Sequence, residues 1–149
     1  MKNNYWNYNE LIPTTEQDKR ELLNYEVDMF RESCNQLMSG PTLQFKQNLL
    51  VESLAIHVRI LVDFFYFSRK NKNDIIAQDL LPEGKDWETI KPPLTQTLED
   101  AKEKAHKQLA HLSLWRLKLV KDGKKGWNHA KIKEDMENVI KKFEEARKN

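Results

Sequence analysis

The sequence is poor in cysteine and glycine, two residues that often reveal a protein's chemistry. Its 149 residues include one cysteine, Cys34, and four glycines. A single cysteine excludes an internal disulfide framework and a four-cysteine zinc site, and it fits a reducing compartment. No nucleophile signature flanks Cys34, which we interpret as structural. The glycines stand apart at positions 40, 84, 123 and 126, which argues against a glycine-rich phosphate-binding loop.

We also expect neither a secretory leader nor a membrane-spanning helix. The first ten residues, MKNNYWNYNE, contain no apolar stretch of the kind that a signal peptide needs. The longest apolar run, residues 49–68, carries Glu52, His57, Arg59 and Asp63. Each charge at the centre of a membrane helix costs about 2.5–3.5 kcal/mol, whereas each Leu or Ile returns only about 0.3–0.6 kcal/mol. We therefore predict a soluble cytoplasmic protein without a membrane partner, with this run as its central core helix.

Strand-like patterns are also lacking, whereas apolar residues recur at helical spacing along most of the chain. A chain of this length fits one domain. We predict an all-α fold, a four-to-five-helix bundle with a short helix in its long middle connection. The single domain covers 1–149, with an N-terminal arm at 1–13. The predicted helices cover residues 15–39, 42–69, 73–80, 95 to at least 113, and 128 onward.

Local signals predict where these helices begin and end. The segment Thr14-Thr15-Glu16-Gln17 favours a capping box in which a threonine oxygen caps the first turn and Gln17 reaches back. Gly40 ends the first helix, and Asn128 is placed to cap the last one. Trp87 is expected to pack the middle connection onto the core. The inward face of the first helix is predicted to consist of Leu22, Tyr25, Val27, Met29, Phe30, Leu37 and Met38.

The second helix is apolar almost all round, which is typical of a helix surrounded by other helices. At 100° per residue, Glu52, Arg59 and Asp63 fall within about 40° of one another, whereas His57 points about 120–160° away from them. Arg59 and Asp63 have the i, i+4 spacing of an ion pair. A buried charged stripe of this kind needs partners, which protein groups, solvent in a cleft or a ligand could supply.

The formal net charge of +2 conceals an asymmetry along the chain. Residues 1–100 hold 11 Lys and Arg against 16 Asp and Glu, whereas residues 101–133 hold 10 against 2. Such a local excess of positive charge is what phosphate binding requires. A solvated surface, or a dimer contact with the acidic part of the chain, would account for the same excess.

The histidines of this basic region lack the spacing of a metal site. Glu103 and His106 have the i, i+3 spacing used by di-iron bundles, but such a site needs a second pair of this kind and two further glutamates. His106 and His111 lie about 140° apart around a helix and cannot clamp one zinc ion. We therefore predict no metal and no cofactor, and rank a carboxylate–histidine metal bundle last of three hypotheses.

Metal-free chemistry remains open to His111. A histidine beside cations can act as general base on a ribose 2′-hydroxyl, while lysine or arginine stabilises the charge that develops on the phosphorane. Lys104, Lys107 and Arg116 are the nearby cations. Alternatively, His111 faces the core and hydrogen-bonds the charged stripe of the second helix in a structural role.

The segment AHKQLAHL at residues 105–112 resembles the signature of the HEPN superfamily (higher eukaryotes and prokaryotes nucleotide-binding). Residues 52–66 and 74–79 and Trp87 are similar to small bacterial proteins of this type, so that the resemblance covers residues 43–116. His111 matches the histidine of the motif, whereas His106, or Lys104 with a longer spacer, stands where the motif has arginine. The resemblance implies small all-α dimers that cleave RNA without metal, often as toxins of toxin–antitoxin or defence pairs, or that bind RNA or proteins without cleavage.

The first hypothesis is therefore a homodimeric RNA-binding module or metal-independent endoribonuclease, with RNA and an antitoxin-type protein as partners. The alternative is a non-catalytic dimeric interaction module, in which the histidines and the charged stripe serve packing and dimer specificity. For the first hypothesis, the predicted catalytic residues are His111, His106 and Lys104, and the predicted binding residues are Lys107, Arg116, Glu52, Arg59 and Asp63.

Overall fold

The computed structural model describes residues 10–109, 114, 117, 118, 121, 122 and 126–148, and all regular secondary structure in these residues is helical. The prediction of an all-α bundle is confirmed. The middle connection holds a short helix where one is predicted, but only as a 3₁₀ turn at Ala77–Leu80 and not from residue 73. A second short helix, α3 at Trp87–Ile90, was not predicted. The four long helices are α1 (Glu16–Met38), α2 (Gln44–Tyr66), α4 (Gln96–Leu109) and α5 (His129–Lys148).

Short-range signals set the ends of these helices. The hydroxyl of Thr15 accepts a hydrogen bond from the backbone N–H of Asp18, and the Asp18 carboxylate accepts one from the backbone N–H of Thr15. The prediction that Gln17 reaches back is wrong, because three residues after a Thr15 cap is Asp18; Gln17 bonds Glu21 instead. Gly40 has a positive φ of 119° just after α1, and Asn128 caps α5, both as predicted.

The core is centred on aromatic rings from three elements. The ring of Phe143 on α5 makes edge contacts with Phe65 of α2 and with Trp87 of α3, at centroid distances of 5.4 Å and 5.3 Å. The indole N–H of Trp87 donates to the carbonyl of Phe65 at 2.6 Å, so that Trp87 holds the middle connection on the core as predicted. The apolar residues that recur at helical spacing along α5 are all buried, and they are Ile132, Met136, Val139, Ile140 and Phe143.

The apolar face predicted for α1 is buried only in part. Three of its seven members, Leu22, Tyr25 and Met38, are exposed. Val27 and Phe30 are buried, together with Leu23 and Cys34, which the prediction did not include. The prediction placed large apolar residues of α1 on one face, but α1 has more of these residues than its one buried face can hold. Leu22 and Tyr25 therefore remain on the surface beside α2.

The prediction that α2 is surrounded by other helices is wrong. The helix packs on α1 and α4, and its inner side reaches α5 through Phe64 and Phe65. Its opposite side stays exposed. We call this side the outer face of α2; its apolar members, from 38% to 73% exposed, are Phe45, Leu49, Ile56, Ile60 and Phe67. Within the part of the chain that the structure describes, no helix is long and apolar enough to cross a membrane.

The Trp87 anchor is open to a direct test of stability. Replacement Trp87→Phe keeps an aromatic ring but removes the indole N–H, which leaves the buried Phe65 carbonyl without that donor. We expect the free energy of unfolding to fall by about 1–3 kcal/mol, measured by urea denaturation followed by circular dichroism. The control Leu43→Ala alters an exposed side chain at the start of α2 and should change stability by less than about 0.5 kcal/mol. Equal losses in the two variants would contradict the assigned role of Trp87.

Candidate functional site

The residues predicted for catalysis are only partly within the described structure. His111 and Arg116 lie outside the described residues. His106 is exposed near the C-terminal end of α4, where it shares the last turn with Lys107. The prediction of a basic site on this helix therefore has three described members, Lys104, His106 and Lys107.

All three of these side chains already interact with other groups of the chain. The ammonium group of Lys104 donates to the carbonyl of Gly126 at 2.7 Å and lies 5.3 Å from the ring centroid of Trp127. Burial lowers the pKa of Lys104, although Asp100 opposes this. Lys107 forms an ion pair with Glu103 on the preceding turn. Lys104 therefore holds the segment before α5 against α4 and does not present its charge freely to solvent.

The charged stripe of α2 lies on the protein surface and is not a buried trio. Glu52 is exposed and Arg59 is partly buried. Asp63 lies 2.6 Å from Lys102 of α4, so that its observed ion pair is with another helix and not with Arg59. The ammonium group of Lys102 also lies 3.2 Å from the ring centroid of Phe67. The sequence alone does not identify Lys102 as the partner of Asp63, because the contact depends on how α4 packs against α2.

The packing brings two parts of the predicted site near one another. Tyr66, at the end of α2, bonds Pro93 just before α4, and Lys102 then pairs with Asp63. The two helices are thus antiparallel. One turn beyond Lys102 stands His106, and one turn before Asp63 stands Arg59, so that the charged stripe and the basic helix follow adjacent lines on one side of the bundle.

A buried histidine that the sequence hypotheses did not use lies on the other side of α2. The Nδ1 of His57 donates to a carboxylate oxygen of Glu26 on α1 at 2.5 Å, and the ring of Tyr25 meets the imidazole edge-on at 5.9 Å. The prediction that His57 points away from the charged stripe is confirmed. No sequence signal reveals Glu26 as the partner, because the two residues belong to different helices.

A groove of about 390 Å³ opens between α1, the end of α2 and the segment that follows α2. Its floor and walls include Leu22, Ile60, Phe64 and Phe67, and Glu26 also lines it. Asn73, on its rim, donates to the carbonyl of Glu10 and accepts a hydrogen bond from the backbone N–H of Ile12. The groove is continuous with the outer face of α2 through Ile60 and Phe67.

The start of α4 is fixed by one hydroxyl group. Thr95 caps the helix by accepting from the N–H of Leu98, and it donates to the carboxylate of Asp135 on α5 at 2.7 Å. Burial by itself raises the pKa of Asp135, but hydrogen bonds from Thr95 and Lys131 hold that pKa below its ordinary value. The carboxylate therefore stays charged and ties α4, with its basic residues, to α5.

Cys34 and possible metal ligands were the other candidates for chemistry in the described residues. Burial raises the pKa of the Cys34 thiol to about 12, so that the reactive thiolate is scarce at neutral pH. Among residues 10–109 and the described positions that follow, no three His, Cys, Asp or Glu side chains are arranged to hold a metal ion.

The chain matches no protein-family model, no curated protein and no solved structure. The HEPN resemblance of residues 43–116 therefore stays a prediction, and the function has to be argued from the residues themselves.

The Asp135 contact predicts a pH-dependent stability. Because its pKa is lowered in the folded state, Asp135 contributes stability that is present above its ordinary value of 3.8 and is lost as the pH falls below it. Replacement Asp135→Asn should cost about 1.5–3 kcal/mol at neutral pH. The difference in the free energy of unfolding between this variant and the wild type should become smaller below pH 3.8.

Urea denaturation at a series of pH values measures this difference. The neighbouring variant Glu134→Gln is a matched control, because Glu134 is exposed and its partner among the described residues is Lys131. If the free energies of unfolding of the wild type and of Asp135→Asn differ by the same amount at every pH, the charge of Asp135 has no part in stability.

Proposed function

We propose that the protein is a non-catalytic homodimeric interaction module that associates through the outer face of α2. The observation that carries this proposal is the exposure of large apolar side chains along one side of a central helix. Such contiguous apolar patches, rimmed by polar residues, are typical of protein–protein interfaces. Leu22 and Tyr25 of α1 extend the exposed apolar surface to one side of it.

The electrostatics of the described residues favour this function over RNA binding. Lys102, Lys107 and Lys131, which belong to the basic region 101–133, each lie in an ion pair with a carboxylate of the same chain. Phosphate binding draws its affinity from cations that release their counterions, and a lysine already paired with a carboxylate has to give up that pair. The usable positive charge is thus smaller than the sequence total suggests.

Self-association tests the proposal directly. We expect the wild-type protein to sediment as a dimer, and we expect Ile56→Asp to weaken the dimer by placing a charge at the centre of the outer face. Because Ile56 is about half exposed, the variant should keep its fold and its circular dichroism spectrum. Sedimentation equilibrium over a range of protein concentrations measures the dissociation constant.

The matched control is Leu43→Asp, on the same helix. Leu43 is exposed at the N-cap and lies about 140° around α2 from Ile56. Aspartate is favoured at an N-cap, so this variant should be folded and dimeric. A wild type that stays monomeric at all concentrations would overturn the proposed function.

An RNA-directed module of the HEPN type is the second candidate. Its support is the positive excess of residues 101–133, the exposed His106 on α4, and the resemblance around His111. In this hypothesis the protein is a metal-independent endoribonuclease or an RNA-binding partner of an antitoxin-type protein, in the cytoplasm. His111 acts as base or phosphate contact, and Lys104, His106, Lys107 and Arg116 support it.

Incubation with total RNA in the presence of EDTA separates the two candidates. The RNA hypothesis predicts cleavage by the wild type and none by His111→Ala, since the general base is removed. Equal cleavage by both proteins would exclude His111 as the base. If the RNA is not cleaved but binds with an affinity that falls steeply with salt concentration, a non-cleaving RNA-binding protein is favoured. If the RNA is not bound either, the interaction module is the one remaining candidate.

A further inference from the structure

The outer face of α2 carries two opposite charges placed on either side of its centre. Glu52 stands four residues before Ile56 and Arg59 three residues after it. Neither side chain has an ion-pair or hydrogen-bond partner among the described residues. Asp63, which pairs with Lys102, marks the side of the outer face that borders α4. Glu52 and Arg59 are rotated toward the same side, by about 40° and 60° around the helix axis from Ile56.

Two copies of one helix that pack side by side along their length about a two-fold axis run either parallel or antiparallel. If the helices run parallel, each residue is level with its own counterpart, so that like charges share a level. If they run antiparallel about Ile56, Glu52 of one copy lies within about 2 Å of the level of Arg59 of the other, measured along the helix axis. This second arrangement also keeps both residues on the same side of the contact.

The apolar residues have the same symmetry as the charges. Phe45 and Phe67 each stand eleven residues from Ile56, one before it and one after it. In the antiparallel arrangement, Phe45 of one copy is therefore level with Phe67 of the other. Leu49 of the first copy then lies between the levels of Ile60 and Phe67 of the second copy, over the groove beside α1 of the second copy.

The size of the surface is close to what a stable dimer needs. From Phe45 to Phe67 the outer face is about 33 Å long. If α2 contributes one helix diameter and the bordering sides of α1 and α4 contribute half a diameter each, the surface would measure on the order of 700 Å² per copy. A standard interface buries about 800 Å² per partner.

We infer that the occupant of this face is a second copy of the chain, packed antiparallel about Ile56. Glu52 of each copy pairs with Arg59 of the other, and Phe45 and Leu49 of each copy cover the groove of the other. The inference rests on the proposed function and adds to it the direction of the two chains and the residues that select that direction.

Charge exchange tests this arrangement. In Glu52→Arg each charged contact of the dimer becomes Arg–Arg, and in Arg59→Glu it becomes Glu–Glu, so that either variant alone should raise the dimer dissociation constant by about tenfold or more. The double variant should restore the dimer. A mixture of the two single variants should form a heterodimer, because each chain then meets the opposite charge at both contacts.

Sedimentation equilibrium of the single variants, the double variant and the mixture gives distinct outcomes. Weak homodimers that are restored by the second substitution and by mixing would support the inference. A dimeric wild type whose single variants dimerise equally well would overturn the antiparallel contact but leave the proposed function standing. A monomeric wild type would overturn both, and the outer face would then serve a partner of another kind.

Discussion

The structure depends on one constraint: α2 has more apolar surface than its neighbouring helices cover. Its inner side is buried among α1, α4 and the aromatic cluster of Phe65, Trp87 and Phe143. Burying a side chain such as Leu, Ile or Phe contributes about 1.5–3 kcal/mol, so the inner side accounts for much of the stability of the fold. The outer face remains without such a contribution until another surface covers it, and this is why we place the function there.

The charged residues have a different role from the apolar ones. An exposed ion pair contributes only about 0–1 kcal/mol. The Lys102–Asp63 pair therefore adds little to the stability of one chain, and a pair between Glu52 and Arg59 of two copies would add little to the affinity of the proposed dimer. Charges act instead on direction, because like charges at one level disfavour an arrangement that the apolar residues alone would accept. In the proposed dimer, the affinity would come from Phe45, Leu49, Ile56 and Ile60, and the orientation from Glu52 and Arg59.

The features that the sequence predicts correctly are those encoded by neighbouring residues. The Thr15 cap, the bend at Gly40, the Asn128 cap and the apolar spacing of α5 all depend on contacts or conformations within a few residues. Trp87 was also predicted correctly, because a large aromatic residue in a polar connection has few alternatives to the core. The contacts that escaped prediction join residues far apart in the chain, such as His57 with Glu26 and Thr95 with Asp135, at separations of 31 and 40 residues.

The errors about α1 and α2 share one physical cause. Apolar periodicity shows which residues favour burial, but the number of neighbouring helices decides how many of them are covered. Leu22, Tyr25 and Ile56 favour burial and stay exposed in this chain. Among the predicted site residues, Asp63 lies beside the basic helix α4 because it pairs with Lys102, a contact that depends on helix packing. His111 and Arg116 lie outside the described residues.

Disulfide formation at the centre of the outer face tests the central claim most directly. Cys34 is the one cysteine of the chain and is fully buried, so a thiol introduced by Ile56→Cys would react alone. A residue at a two-fold contact faces its own counterpart, at a distance that a disulfide can span. We expect mild oxidation to convert Ile56→Cys into a covalent dimer quickly, and Leu43→Cys, on the other side of α2, slowly or not at all. Equal rates of cross-linking in the two variants would contradict association through the outer face of α2.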